Sequence, residues 1–344
     1  MKKMTVTIIA VALLSACQVF LGSDPDNNPR GIFDRIWTDF DETYALMDIR
    51  GINWNDVYDN FSPLISSGMS EQELFGVCAD MLKTLNDAHV YIMSPFAYSN
   101  SGGRFDVVNK EPFSLEVVKK YLNNGGSSAG DGMFLYGTFS SKPNVGYIYI
   151  AGFAHGSTGT AQSQDWANEI DGIVQSLADT DALVLDIRGN RGGLPANVDY
   201  IAGRFVSTQK DYVEVRTKNG SGRNDFSSAL SNAIKPAGTR YTKPIVLLTN
   251  KQTISGGEWF TLALRTQDHV THAGGTTNGA FSLSLERSLI NGWIYSVSVQ
   301  KVTDMNGICY EGTGITPEYV ISNTEAEIAV NKDTQLEYAK DFFD

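Results

Sequence analysis

Two runs that are apolar almost throughout constrain this chain most: Ala182 to Ile187 (ALVLDI), interrupted only by Asp186, and Ile245 to Leu248 (IVLL). A strand with one wet face alternates apolar and polar residues. These runs do not, so each predicts a strand covered on both faces. A third strand, Gly146-Tyr147-Ile148-Tyr149-Ile150, precedes them. Between it and Ala182, residues Trp166, Ile170, Ile173, Val174 and Leu177 recur on one helical face. Strand, helix, strand predicts a parallel pair joined by a right-handed crossover, hence an α/β core. With 344 residues the chain has room for one large domain or two ordinary ones.

The turns that close the two runs narrow the chemistry. After Ile187 comes Arg188-Gly189-Asn190-Arg191-Gly192-Gly193, at the strand end where open α/β sheets place ligands. Backbone N–H groups of such a turn can receive an oxyanion, or the glycines can serve the turn alone. After Leu248 comes a turn carrying Ser255, Gly256 and Gly257, with a helix predicted from near Glu258 through Trp259, Leu262 and Ala263. Ser255 with Glu258 is a capping box. It is equally the layout of a nucleophile on a sharp strand-to-helix turn, with the next N–H groups facing what it attacks.

The remaining chain divides by composition. Lys2 and Lys3 precede an apolar run, Val6 to Leu14, too short to span a bilayer, and then Leu14-Ser15-Ala16-Cys17. That segment resembles a bacterial lipobox, which implies a signal peptide at 1–16, lipidation of Cys17 and a tether over 17–29. A helical domain is expected over 30–92: apolar positions from Ile32 to Met47 keep helical spacing until Gly51, and Ser70 with Glu73 caps a second helix bearing Leu74, Val77, Cys78, Met81, Leu82 and Leu85. His89 comes next, at a helix-to-strand junction where flanking elements would hold it. Residues 93–144 read as a connecting segment, with strands predicted at Phe113 to Val118 and Met133 to Tyr136 and no peptide-binding PDZ loop. Later, Ser282 to Ile290 and Trp293 to Val302 flank Asn291-Gly292, a strong hairpin signal. Tyr310-Glu311-Gly312-Thr313-Gly314-Ile315-Thr316-Pro317 sets a carboxylate between glycine turns, and an amphipathic helix is expected to close the chain from Glu325 to Phe343. The net charge of -12 argues against a nucleic-acid partner. Setting Cys17 aside, Cys78 and Cys309 are too few for a disulfide framework.

In order and spacing, these segments resemble the tail-specific, or C-terminal processing, serine peptidases, and among them the tricorn-core-like branch. The Arg-Gly-Asn-Arg-Gly-Gly turn, TNKQTISGGE and YEGTGITPE carry the resemblance most strongly. It implies a ClpP/crotonase-like catalytic core over 145–325, with a mixed sheet and flanking helices, after the small helical domain and before a C-terminal helix at 326–344. It implies Ser255 as nucleophile, His89 of the Asp87-Ala88-His89 segment as general base, Glu311 as the carboxylate orienting it, and N–H groups of Gly256 and of Gly192 or Gly193 as oxyanion donors. The processing branch uses a lysine base where this chain has Ala280, so no Ser-Lys dyad is available. The serine that precedes the histidine in the tricorn core is Ala88 here. The implied activity is hydrolysis of exposed or unfolded polypeptides, bound as an added β-strand. No metal or organic cofactor is implied, and the location is the bacterial cell envelope outside the cytoplasm. A catalytically inactive peptide-binding pseudopeptidase is the competing reading, favoured by Ala88 and the missing lysine. A carrier of small hydrophobic ligands on the same fold is a third, disfavoured by the joint retention of Ser255, His89 and Glu311.

Overall fold

The computed structural model describes residues 27–102, 111–155 and 165–344. The chain enters through helices α1 (Pro29–Thr43), α2 (Trp54–Phe61) and α3 (Glu71–Lys83), followed by the short strands β1 (Tyr91–Met93) and β2 (Tyr98–Asn100). Helix α3 starts at the expected box: the Ser70 side chain accepts from Glu73 N–H while the Glu73 carboxylate accepts from Ser70 N–H. Helix α1 stops at Thr43, short of Gly51. Tyr44 is extended and Ala45 N–H donates to Ser298 O, so Tyr44 and Met47 are buried from turns that prolong the apolar spacing.

Next come α4 (Leu115–Tyr121), β3 (Ser127–Ala129), β4 (Phe134–Thr138), β5 (Val145–Ile150), α5 (Asp165–Ser176), β6 (Ala182–Asp186), α6 (Pro195–Ala202), β7 (Lys210–Thr217), β8 (Leu230–Ile234), β9 (Ile245–Thr249), α7 (Gly256–Arg265) and β10 (Val270–Gly274). The strand expected from Phe113 to Val118 is instead helix α4. Ser114 caps the Val117 N–H, Glu116 sits in the first turn and Lys119 and Lys120 in the last, so caps and dipole outweigh the β preference of the two valines. The chain closes with β11 (Ser284–Ser288), β12 (Ile294–Ser298), β13 (Gln300–Asp304), β14 (Tyr319–Val320), α8 (Glu325–Ala329) and α9 (Thr334–Asp341). The single closing helix expected from Glu325 is thus two. Asn331 takes φ 64°, which ends the first, and Asp333 caps the second through Leu336 N–H.

The main sheet has seven strands in the order β14-β10-β9-β6-β5-β4-β3. Strands β14, β10, β9, β6 and β5 run parallel, and β4 and β3 add an antiparallel edge. The central runs are buried on both sides, as their lack of alternation requires. Ile148, Ile150, Leu183, Leu185, Ile245 and Leu247 face a core built with α5, α6 and α7, while Tyr147, Tyr149, Val184, Val246 and Leu248 face a second core containing Val118, Leu336 and Ala339. Burying each such side chain contributes roughly 1.5–3 kcal/mol.

The helical unit is not closed by its own residues. Its core includes Leu289, Trp293, Tyr295, Val297 and Val299, because the hairpin around Asn291-Gly292 pairs with β1 in a four-stranded sheet ordered β11-β12-β1-β2. The hairpin's second run breaks after Ser298: from Gln300 it joins β7 and β8 in a separate three-stranded sheet. Cys78 and Cys309 are both free.

Candidate active site

Two turns at the carboxyl ends of β6 and β9 meet. The first is anchored by Arg188, whose fully buried guanidinium takes Asp186, Asp333 Oδ1 at 2.8 Å and Gln335 Oε1 at 3.0 Å, and lies over the Phe113 ring. A buried cation without partners would be untenable; with two carboxylates it is a rigid peg. Asn190, also fully buried, spends its Nδ2 on Ile150 O and its Oδ1 on Gly192 N–H at 2.8 Å. The Gly192 N–H is therefore consumed inside the turn. Among the described residues, the N–H groups of Gly193 and Gly256 have no acceptor in the protein.

The second turn is tied to the first by Asn250 Oδ1 accepting Gly189 N–H at 2.9 Å, Thr253 Oγ1 donating to Ile187 O at 2.9 Å, and Ile254 N–H donating to Asn190 O at 3.0 Å. Ser255 then takes φ 57°, ψ -121°. A capping serine ordinarily sits in the β region, and a non-glycine residue in this conformation costs of order 1–3 kcal/mol. Nucleophile turns between a strand and a helix are strained in this way. The glutamate half of the capping box is present, since Glu258 accepts Ser255 N–H at 3.1 Å. Yet that carboxylate does more, also taking the N–H groups of Gly279 and Ala280 and the hydroxyl of Thr277. Burial pushes the Glu258 carboxyl up and these donors oppose it. The buried carboxylate thus fastens the Thr277 to Ala280 segment beneath the serine. Gly256 opens helix α7, whose positive end faces the same space. A Cβ at Gly256 would lie 3.0 Å from Gly193 N, so glycine there leaves the Gly193 N–H uncovered.

His89 reaches this place from the other unit. Its backbone N–H donates to Asp87 Oδ1 at 2.8 Å, and its carbonyl accepts the Ser296 hydroxyl from β12. The ring joins Ser255, Gly193 and Gly256 in lining one cavity of about 490 Å³. Burial lowers the imidazole's proton affinity, Asp87 works against that, and the Arg50 guanidinium adds to it. The ring's Nδ1 is buried without a hydrogen-bond partner among the described residues.

Glu311 lies behind the cavity wall. Its Oε1 accepts Phe281 N–H at 2.9 Å and Ser282 N–H at 2.7 Å, and its Oε2 faces Arg50 at 3.4 Å. Burial and the nearby Asp87 push its carboxyl up, while Arg50 and the Phe281 N–H oppose them. Its hydrogen-bond partners are all donors: two backbone N–H groups and the Arg50 guanidinium. No hydrogen bond joins Glu311 to His89 in this arrangement, among the described residues.

Ser255, His89, Gly193 and Gly256 therefore share one cavity; Gly192 packs beneath it, and Glu311 stands behind it. Cys17 lies outside the described residues. Sequence reasoning does not single out Arg50; it shows Tyr44 only as an apolar helix position and Asn190 only as part of the glycine turn. Asp87 is visible there only as part of the segment bearing His89. Among the described residues the rest of the cavity lining is uncharged: Val198, Val215, Trp259 and Phe281 wall it, and Leu230 and Leu283 stand exposed at its margin.

Residues 144–321 match the sequence profile of peptidase family S41, and residues 25–83 that of the tricorn protease C1 domain. The carboxy-terminal processing protease CtpA of Bacillus subtilis is 29% identical over 177 residues, 51% of this chain and 34% of that protein. The chain thus spans about a third of the length of this curated relative. A crystal structure of a candidate peptidase from Parabacteroides merdae superposes with a TM-score of 0.80 at 28% identity, covering 91% of this chain and 96% of that one. Mature CPAF in complex with lactacystin shares the fold, with a TM-score of 0.67 at 12% identity over 92% of this chain and 97% of that one.

Proposed function

The chain belongs to peptidase family S41, and we propose that it hydrolyses peptide bonds in exposed or unfolded polypeptides with Ser255 as nucleophile, His89 as general base and Glu311 as the carboxylate that steadies the imidazolium. One observation carries this reading: a serine in a strained strand-to-helix turn, an imidazole and two unspent backbone N–H groups face one cavity. A serine hydroxyl is a weak nucleophile until a base removes its proton. In the proposed cycle His89 takes that proton as Oγ attacks the substrate carbonyl, and the carbonyl oxygen gains its charge between the Gly193 and Gly256 N–H groups. His89 then returns the proton to the leaving amine, and a water repeats the sequence on the acyl-enzyme. Each N–H donor is worth about 10²–10³ in turnover. Strand β11, at the edge of its sheet beside the cavity, offers unpaired backbone groups to an extended substrate.

We further propose that residues 145–325 form the catalytic domain, completed by His89 from the helical unit, and that a lipid on Cys17 anchors the protein outside the cytoplasm. A binding protein without turnover is the second reading. The observation favouring it is the pairing of Glu311 with Arg50 rather than with His89, whose Nδ1 has no partner among the described residues. Hydrolysis of a mixed-sequence fluorogenic peptide library, run beside Ser255→Ala and His89→Ala, separates them. Turnover lost in both variants is expected. Equal turnover by Ser255→Ala would sink the mechanism, and tight peptide binding with no cleavage by the parent would establish the second reading.

A further inference from the structure

Arg50 lies at the seam between the helical unit and the main sheet, with its side chain 8% exposed. Its Nη1 donates to Asn86 O at 2.6 Å, and its Nη2 faces Glu311 Oε2 at 3.4 Å and Asp87 Oδ1 at 4.0 Å. Asp87 belongs to the segment carrying His89, and Glu311 to the closing loop. Asp87 accepts the His89 N–H at 2.8 Å and the Tyr44 hydroxyl at 2.9 Å; Glu311 accepts the N–H groups of Phe281 and Ser282, which line the cavity. One guanidinium therefore bridges two buried acids that belong to different units, 261 residues apart in the case of Glu311.

We propose that Arg50 is a positioning residue of the site: by bridging Asp87 and Glu311 it ties the loop bearing Glu311 to the segment bearing His89 and sets the charge around the imidazole. This rests on the assignment of Ser255, His89 and Glu311 as the reacting groups. A planar fork can serve two carboxylates at once, which a lysine ammonium does less well. The titratable and charged groups around it are Asp87, Tyr44 and His89 from the helical side, Glu311 and Cys309 from the closing loop with Lys301 near the thiol, and Glu258 behind Glu311. Removing the positive charge acts in one direction on both partners. His89 gains proton affinity, because Arg50 now lowers it, and so does Glu311. Both changes move the acid limb of activity upward, since the base must be neutral and the carboxylate ionised for catalysis.

The test is a histidine-labelled NMR titration of the protein, with the His89 resonance identified by His89→Gln, alongside the pH profile of kcat/KM. In the parent the His89 midpoint is expected below its ordinary value of about 6.5. In Arg50→Met it should rise by about one unit, the size expected when a nearby positive charge is removed. The acid limb should rise with it, and kcat should fall by about tenfold or more. Arg50→Lys should return the midpoint toward the parent value while leaving kcat reduced. A merely structural Arg50 would lower thermal stability and leave the His89 midpoint where it was; that result overturns the proposal. Should Arg50→Met fail to fold, Arg50→Lys decides alone: a full parent kcat, or a midpoint displaced as if the charge were gone, counts against it. The NMR arm needs no turnover. A protein that cleaves nothing but shows the shift would refute the peptidase reading and leave the bridging of His89's surroundings intact.

Discussion

Replacing Gly192 by alanine would put a methyl group where the two turns of the site touch. At φ 76°, a Cβ there falls 2.7 Å from Gly256 N, 2.7 Å from Ser255 Cβ and 2.8 Å from Ile254 O. Carbon atoms rest at about 3.5–4.0 Å, so the turns would have to part by about 1 Å. Neither can yield alone. The first is pegged by Arg188 and Asn190, the second by Glu258 and Thr253. The left-handed backbone costs an alanine roughly 1–2 kcal/mol, and forcing a methyl into a filled space adds roughly 1–3 kcal/mol. Gly51→Ala separates these contributions: Gly51 has φ 65° and nothing within 4 Å of its would-be Cβ, so it carries the backbone cost alone. The chemical effect is larger than the loss of stability, because parting the nucleophile from the Gly193 N–H by about 1 Å costs on the order of 100-fold in rate. Thermal unfolding and peptide turnover would be measured for both variants. Gly192→Ala should lose more stability than Gly51→Ala and about 100-fold in kcat. A Gly192→Ala protein that matches Gly51→Ala in both would mean that the turns do not depend on this close approach.

Among the described residues the cavity wall carries no charged side chain, so the substrate residue before the cut bond should be apolar. Leu230 is 68% exposed at its margin, and Leu230→Asp should fold while shifting preference about tenfold toward a basic residue there, read from cleavage of a library varied at that position. An unchanged profile would place the specificity elsewhere. For the proposed anchor, Cys17→Ser should move the protein from the membrane to the soluble fraction, and mass spectrometry of the mature N-terminus should find a lipidated Cys17 in the parent only; recovery of both proteins in the soluble fraction would discard the anchor.

Strands β6 and β9 are legible in the sequence because burial on both faces leaves short apolar runs bounded by turn residues, and the turns after them because glycine and serine are conspicuous there. The packing that matters to the site is less legible. Arg50 sits in a stretch of turns with no motif around it, and its partner Glu311 lies far away in sequence, so only the folded chain brings out the bridge. The same holds for β13. Trp293 to Val302 reads as one strand, but pairing with the hairpin's first arm ends at the Val299 N–H to Leu283 O bond, and from Gln300 the chain changes sheets onto the available edge of β7. Helix α4 misleads for a local reason: two adjacent valines suggest a strand, whereas the cap at Ser114 and the charges at both ends select a helix of seven residues. Strand β8, with exposed Leu230 and half-buried neighbours, has too little alternation to announce itself.

The pairing of β1 with β12 has a consequence for a chain still leaving the ribosome. His89 emerges early, but the strand that accepts its neighbours in the sheet spans Ile294–Ser298, and Glu311 comes later still. At about 5–20 residues per second, roughly ten to forty-five seconds separate the synthesis of His89 from that of Glu311. Through that interval the imidazole has neither its supporting strand nor the carboxylate behind it. On the proposed assignment, the nascent polypeptide, itself an unfolded chain of the kind proposed as substrate, meets no assembled site until synthesis has passed Glu311.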